Sequence, residues 1–262
     1  MIKKLAVLQL PILLLLLVVA KTFNNSTPKI TLNTEQLRKI GHKIWFNESC
    51  NDPNKLLFWN PKEEFPSFGI GHFIWLPCSC NARFEQTFPA LIDFMVSKKI
   101  VIPSWLDPKF FPWNNREDFM QKRSSDQSRE LQQLLLHTLD TQVEFMVHRL
   151  ETALKSDAIK NNKQLLKQFN LLLQTPQGIF ALIDYTNFKG TGLNANERYD
   201  NKGWGLVHVL ESTHSNDPGT ALKQFITQAE SLLRLRVKNS PPERNEAQFL
   251  TGWLSRIHMY KK

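Results

Sequence analysis

The chain has 262 residues, a formal net charge of +9 and 42% hydrophobic residues. That apolar content excludes a disordered chain, and the length allows one large domain or two lobes around a shared core. The basic balance suits a polyanionic surface such as a cell envelope, but Lys and Arg are spread evenly, with no run dense enough for a nucleic-acid-binding arm.

Lys3 and Lys4 precede an apolar run from Leu5 to Ala20, interrupted by Gln9, and Val18 and Ala20 give a small-residue cleavage pattern. Residues 1–20 therefore read as a secretory signal sequence. The run contains Pro11 and is shorter than the roughly 20 residues of a spanning helix, although an uncleaved anchor is the alternative. Either way the remainder is expected in the periplasm or outside the cell, touching a membrane only through that segment. Residues 21–32 read as a tether and residues 33–262 as a single domain of two lobes.

Asn33 is a helix N-cap, with Gln36 completing a capping box, and Leu37, Ile40 and Ile44 follow at helical spacing. This helix should end near Glu48, because Cys50-Asn51-Asp52-Pro53 is turn chemistry. Residues 55–76 are short apolar runs cut by Asn60-Pro61, Gly69 and Gly71, which predicts a small antiparallel hairpin or sheet. From Glu85 the pattern is helical. Leu131, Leu135, Leu139, Val143, Val147, Leu150 and Leu154 trace one stripe of a long helix. Further helices are expected over 160–174, from Pro176 to just before Gly190, over 203–213 and 219–238, and from Pro242 onward. Thr191–Lys202 reads as loop. The fold class is α+β, mainly α.

Cys50 can pair with Cys78 or Cys80, leaving one thiol over. Three thiols without a fitting histidine pattern make a poor zinc site. There is no Walker-type loop, HExxH or Gly-x-Ser-x-Gly motif, so neither metal nor cofactor is expected.

Glu48 is the candidate general acid. A carboxyl at a helix end, near Trp45, can lie against apolar walls, where desolvation keeps it protonated near neutral pH. The plainer alternative is a surface glutamate at a helix end. About twenty residues on, Ser67-Phe68-Gly69-Ile70-Gly71-His72 falls on the expected hairpin, with two glycines that let backbone approach closely or turn sharply. A second polar cluster runs from Asp184 through Asn187 to Glu197 and Tyr199, beside Trp204. Asn187, Asn194, Glu197 and Tyr199 can line the wall opposite Glu48, or can merely satisfy the backbone of their own loop. Trp45, Trp59, Trp75 and Trp204 are candidate sugar-stacking faces, of which one or two should face a cleft.

A helix ending in Glu, followed by a hairpin bearing a Thr/Ser-x-Gly-x-Gly-His string, resembles the phage-type lysozymes of the lysozyme-like superfamily. The likeness covers residues 34–76. It implies that Glu48 is the catalytic acid, that Ser67 stands where those enzymes keep a threonine near the attacking water, and that His72 closes the string. It also implies an acidic residue between the two motifs, for which Asp52, Glu63 and Glu64 are the candidates. Phe46-Asn47-Glu48-Ser49 also resembles the Glu-Ser of goose-type lysozymes and lytic transglycosylases. Ile44–Glu48 together with Ser240–Glu246 is similar to an uncharacterised exported bacterial family of lysozyme-like proteins.

The resemblance implies a peptidoglycan muramidase, acting on peptidoglycan or a related β-1,4 glycan. The alternatives are a non-catalytic envelope protein on the same scaffold, binding glycan or a partner, and an unrelated exported helical protein. A groove running between Glu48 and the 184–204 loop is what the enzyme requires. A buried Glu48 paired with Arg or Lys favours a structural role.

Overall fold

The computed structural model describes residues 28–77 and 85–261. The expected signal sequence, and Cys78 and Cys80 with any disulfide they form, lie outside those residues; Cys50 is exposed. The described chain is mainly helical with a small antiparallel sheet, as expected. No helix among the described residues is long and apolar enough to cross a membrane.

Helix α1 (Thr34–Ser49) begins with the capping box: the Gln36 backbone N–H donates to Asn33 Oδ1, and the Asn33 N–H donates to Gln36 Oε1, both at 2.9 Å. It ends where Cys50 and Asn51 turn left-handed, at φ 54° and 58°. Strands β1 (Leu57–Phe58), β2 (Ser67–Phe68) and β3 (Phe73–Ile74) follow in an antiparallel sheet of that order, with Phe58 opposite Ser67 and Phe68 opposite Phe73. Helices α2 (Phe88–Ser97) and α3 (Arg116–Gln121) close an aromatic cluster over this sheet. Phe68 stacks on Trp113 with centroids 5.7 Å apart, and Trp59, Trp75, Phe88 and Phe119 complete the cluster.

The long stripe over 131–154 is two helices, α4 (Asp126–His137) and α5 (Leu139–Leu154), broken at Thr138. The Thr138 hydroxyl donates back to the Leu134 carbonyl at 2.7 Å. The Leu135 carbonyl, which an unbroken helix would bond to residue 139, instead accepts from Gln142 Nε2 at 2.7 Å. One bend leaves the apolar stripe in phase, so periodicity alone does not register it. The chain continues through α6 (Asp157–Lys160), α7 (Lys163–Leu172) and α8 (Pro176–Lys189). Within the expected loop lies a hairpin, β4 (Arg198–Tyr199) and β5 (Lys202–Gly203). Its two-residue turn, Asp200-Asn201, has both residues left-handed, which Asp and Asn tolerate. Helices α9 (Leu206–Glu211), α10 (Pro218–Asn239) and α11 (Ala247–His258) complete the helical body. A short 3-10 turn, Pro242–Arg244, precedes α11.

The glycine string is a docking turn. The Gly69 N–H donates to Leu56 O at 2.8 Å, and the Ile70 N–H donates to the fully buried Gln142 Oε1 at 2.8 Å. Gln142 thus spends its amide on two orphaned backbone groups, one in the turn and one at the α4–α5 break. A Cβ at Gly69, whose φ is +70°, would stand 2.3 Å from that Oε1. Gly69→Ala is expected to cost at least the ~1–2 kcal/mol of a left-handed non-glycine residue. Gly252→Ala, on α11 with nothing within 4 Å of the added carbon, should instead gain about 0.5–1 kcal/mol. Denaturant midpoints measure both. A Gly69→Ala loss well under 1 kcal/mol would mean the turn slides clear of Gln142.

Candidate functional site

Three helices distant in sequence, α1, α8 and α11, meet beside the glycine string. Glu48, in the last turn of α1, places Oε1 2.6 Å from Arg256 Nη1 on α11. The same guanidinium forms a two-pronged pair with the fully buried Asp184 of α8, at 2.9 and 2.8 Å. The Tyr260 hydroxyl donates to Asp184 at 2.6 Å, and the Phe188 ring covers the guanidinium at 4.3 Å. Burial pulls the Arg256 pKa down, but the charges of Asp184 and Glu48 outweigh it and hold the guanidinium charged.

His72 joins this network at Glu48. Its backbone is left-handed, at φ 49°, as the tip of the β2–β3 turn requires. Nδ1 lies 3.5 Å from Glu48 Oε2, and the ring stacks on Phe58. Burial lowers its pKa, and Arg256 and Lys55 add to this against the pull of Glu48, so the neutral ring is favoured. Glu63 lies in a loop fixed by Trp59 Nε1 donating to the Glu63 carbonyl at 2.9 Å and by Lys62 Nζ donating to Gln248 Oε1 at 2.7 Å. Glu63 is exposed as a residue, yet its carboxyl sits close to the protein body. Its pKa is raised, first by desolvation and then by the charge of Glu48. Glu48 and Glu63 therefore lie within electrostatic reach of each other.

A pocket of about 110 Å³ lies between the string and the end of α8, lined by Gly71, His72, Asn187, Lys189, Glu197 and Trp204, among others. It adjoins a groove of about 930 Å³ between α2, α5 and the 191–197 loop; Glu85, Thr87, Arg149 and Glu197 belong to both. Asn187 Nδ2 donates to the Gly71 carbonyl at 2.9 Å and so ties α8 to the string. Glu197 has a raised pKa, from burial and then from the charge of Glu85, against Arg149 and Arg236. Trp204 is almost wholly buried, between Arg236 at 4.1 Å and the Tyr199 ring. Arg236 is paired twice with Glu246, at 2.7 Å each. The Lys189 ammonium lies over Trp253, 3.4 Å from the ring centroid, and over Phe188 at 3.9 Å.

The structure thus brings together His72, Asn187, Glu197 and Trp204, as expected, but Glu48 lines neither cavity and stands behind His72, paired with an arginine. Several expectations need correction. Trp45 is buried against His42, and Trp59 and Trp75 belong to the aromatic core, so none of the three is a stacking face. The Tyr199 hydroxyl is taken by Glu246 Oε1 at 3.0 Å, which removes it as a ligand for sugar hydroxyls. Ser67 is buried in the central strand, away from both cavities. Asn194 lines the larger groove.

The residues missed were Lys189, Arg236, Glu246 and Arg256. Their signal was present. Trp253, Arg256, Ile257 and Tyr260 share one face of a helical pattern, as do Ala229, Leu233 and Arg236. A charge inside an apolar stripe has to find a buried partner. Comparison with protein-family models, curated proteins and solved structures yields no match for this chain.

Proposed function

We propose that the protein is an exported, lysozyme-like enzyme that cleaves β-1,4-linked peptidoglycan glycan, with Glu48 and Glu63 as its two carboxylates. The observation that supports this reading is geometric: Glu48, at the end of α1, lies 3.5 Å from His72 of the glycine string, and His72 lines the small polar pocket together with Asn187, Glu197 and Trp204. Two neighbouring carboxyl groups with unlike surroundings can divide the acid and base roles of glycoside cleavage. Arg256 engages Glu48 as a carboxylate, so the proton donor is Glu63 rather than Glu48. Glu63 protonates the glycosidic oxygen as the carbon–oxygen bond breaks. Glu48, held by Arg256 and with its side chain 16% exposed, is the second carboxylate of this scheme. It either draws the proton from an attacking water or bonds to the sugar carbon itself.

A second reading has its own observation. The pairing of Glu48 with Arg256, itself clamped on buried Asp184, is the arrangement of a structural ion pair and favours a non-catalytic glycan-binding protein on the same scaffold.

The deciding experiment incubates the purified protein with peptidoglycan, wild type beside Glu48→Gln and Glu63→Gln, and identifies products by mass. Release by wild type alone supports the enzyme; anhydro ends mark transglycosylation and reducing ends hydrolysis. Binding by all three proteins with no release supports the second reading. Release undiminished in both variants removes these carboxylates from the mechanism.

A further inference from the structure

Of four buried or half-buried cations in this region, Arg149, Lys189 and Arg236 line the small pocket, and all four but Lys189 have carboxylate partners. Arg149 reaches Glu85 at 2.9 Å, Arg236 holds Glu246, and Arg256 holds Asp184 and Glu48. Lys189 does not. Its side chain is buried, and it packs on the faces of Trp253 and Phe188 with no carboxylate at ion-pair distance among the described residues. Aromatic faces offset part of the cost of burying an ammonium, but not what a counter-ion would. Burial, reinforced by Arg236 and Arg256, depresses its pKa well below the ordinary lysine value, against weaker support from Glu246 and Glu48.

The pocket that Lys189 lines has room for a small group, about the volume of three or four waters. It opens onto the larger groove, whose walls include Ala90, Phe94, Phe145 and Leu193. The joint cavity therefore has a long, partly apolar body and a cationic end. Three acids share its walls, of which Asp93 lies in the larger groove alone. Glu85 is paired with Arg149 at 2.9 Å, and the Glu197 carboxyl is pushed up by burial and by the charge of Glu85.

We propose that the small pocket binds a carboxylate of the ligand with Lys189 as its counter-ion, so that the protein selects acid-bearing glycans over neutral ones. The ligand class rests on the glycan reading above. In peptidoglycan the carboxylate comes either from a bare muramic acid or from the stem peptide.

The test is calorimetric titration of the full protein with three probes. These are chitobiose, the disaccharide N-acetylglucosaminyl-N-acetylmuramic acid, and the same disaccharide carrying L-alanyl-D-glutamate. Wild type should bind at least one acid about tenfold more tightly than chitobiose, the scale of a charged hydrogen bond. Whichever acid is preferred identifies the source of the carboxylate. Lys189→Met, which keeps the packing on Trp253, should bind all three alike.

Wild type alone gives an independent readout, because an arriving carboxylate raises the depressed lysine. Titrations in buffers of different ionisation enthalpy should show proton uptake with the preferred acid and none with chitobiose. This arm decides the matter if Lys189→Met does not fold. Equal binding of all probes by wild type, no binding at all, a preference that survives Lys189→Met, or absent proton uptake overturns the proposal. Acid preference without peptidoglycan cleavage leaves it standing and removes the enzyme reading. Cleavage without acid preference does the reverse.

Discussion

Replacing Arg256 by methionine is expected to destabilise the fold by about 3–5 kcal/mol, the usual consequence of breaking a buried ion pair from one side. Methionine can occupy much of the arginine's path beside Phe188. It leaves Asp184, with no exposed surface, a single neutral donor in Tyr260. The carboxylate must then stay charged in a poorly solvating site or take up a proton, and both alternatives are unfavourable. Glu48 loses less, since its side chain is 16% exposed. The double variant Arg256→Met/Asp184→Asn should therefore be more stable than the sum of the two single losses predicts. That coupling identifies the ion pair, rather than packing, as the cause. Urea midpoints at constant slope measure all three proteins. A loss of less than about 1 kcal/mol would mean that Asp184 is better solvated than its burial indicates.

The second large effect concerns Glu63. On the proposed reading of Glu63 as proton donor, Glu63→Gln should lower kcat/KM on peptidoglycan by about 10²- to 10⁴-fold, whereas a surface glutamate would change it by less than about threefold. The pH dependence follows from the direction of the shift. The donor must be protonated, so the rate should fall as pH rises through a value above 4.5, the ordinary glutamate position. Glu48→Gln removes the second of the two causes but not burial, the first. Carbon-detected NMR titration of the Glu63 carboxyl should show its midpoint fall in that variant without reaching the ordinary value. A midpoint unchanged by Glu48→Gln would separate the two carboxyl groups.

Stability runs in the same direction. A carboxyl whose folded pKa is raised supports the fold fully below its unfolded value and loses that support as pH rises through the folded one. Glu63→Gln should therefore be slightly stabilising at pH 7 and neutral at pH 3.

Local rules made several elements legible. The Asn33–Gln36 box, Pro176 at the start of α8, and the left-handed stop at Cys50 each depend on residues within one turn of one another. The Gly69–His72 turn was legible for the same reason. The break at Thr138 was not, because it is stabilised by Gln142, whose other partner is the glycine turn in a different part of the chain. Nor could local pattern separate Trp204, which lines a pocket, from Trp59, which fills the core. Both are aromatic residues beside turns, and only tertiary packing distinguishes them. Glu48 could be picked out as a helix-end carboxylate, while its partner lies 208 positions away. The Asp200-Asn201 turn was readable in principle, being a two-residue hairpin signal inside a polar stretch.

The Glu48–Arg256 contact also sets an order of events. Helix α1 is made early in synthesis and α11 late, so the carboxylate exists long before the guanidinium that holds it. Closing so long a loop is among the slower steps of folding. Until it closes, Asp184 has no charged partner and the end of α8 has little to hold it against α1. The network of Glu48, Asp184 and Arg256 is thus completed only when α11 docks, so any property that depends on it appears with the last helix rather than growing in gradually.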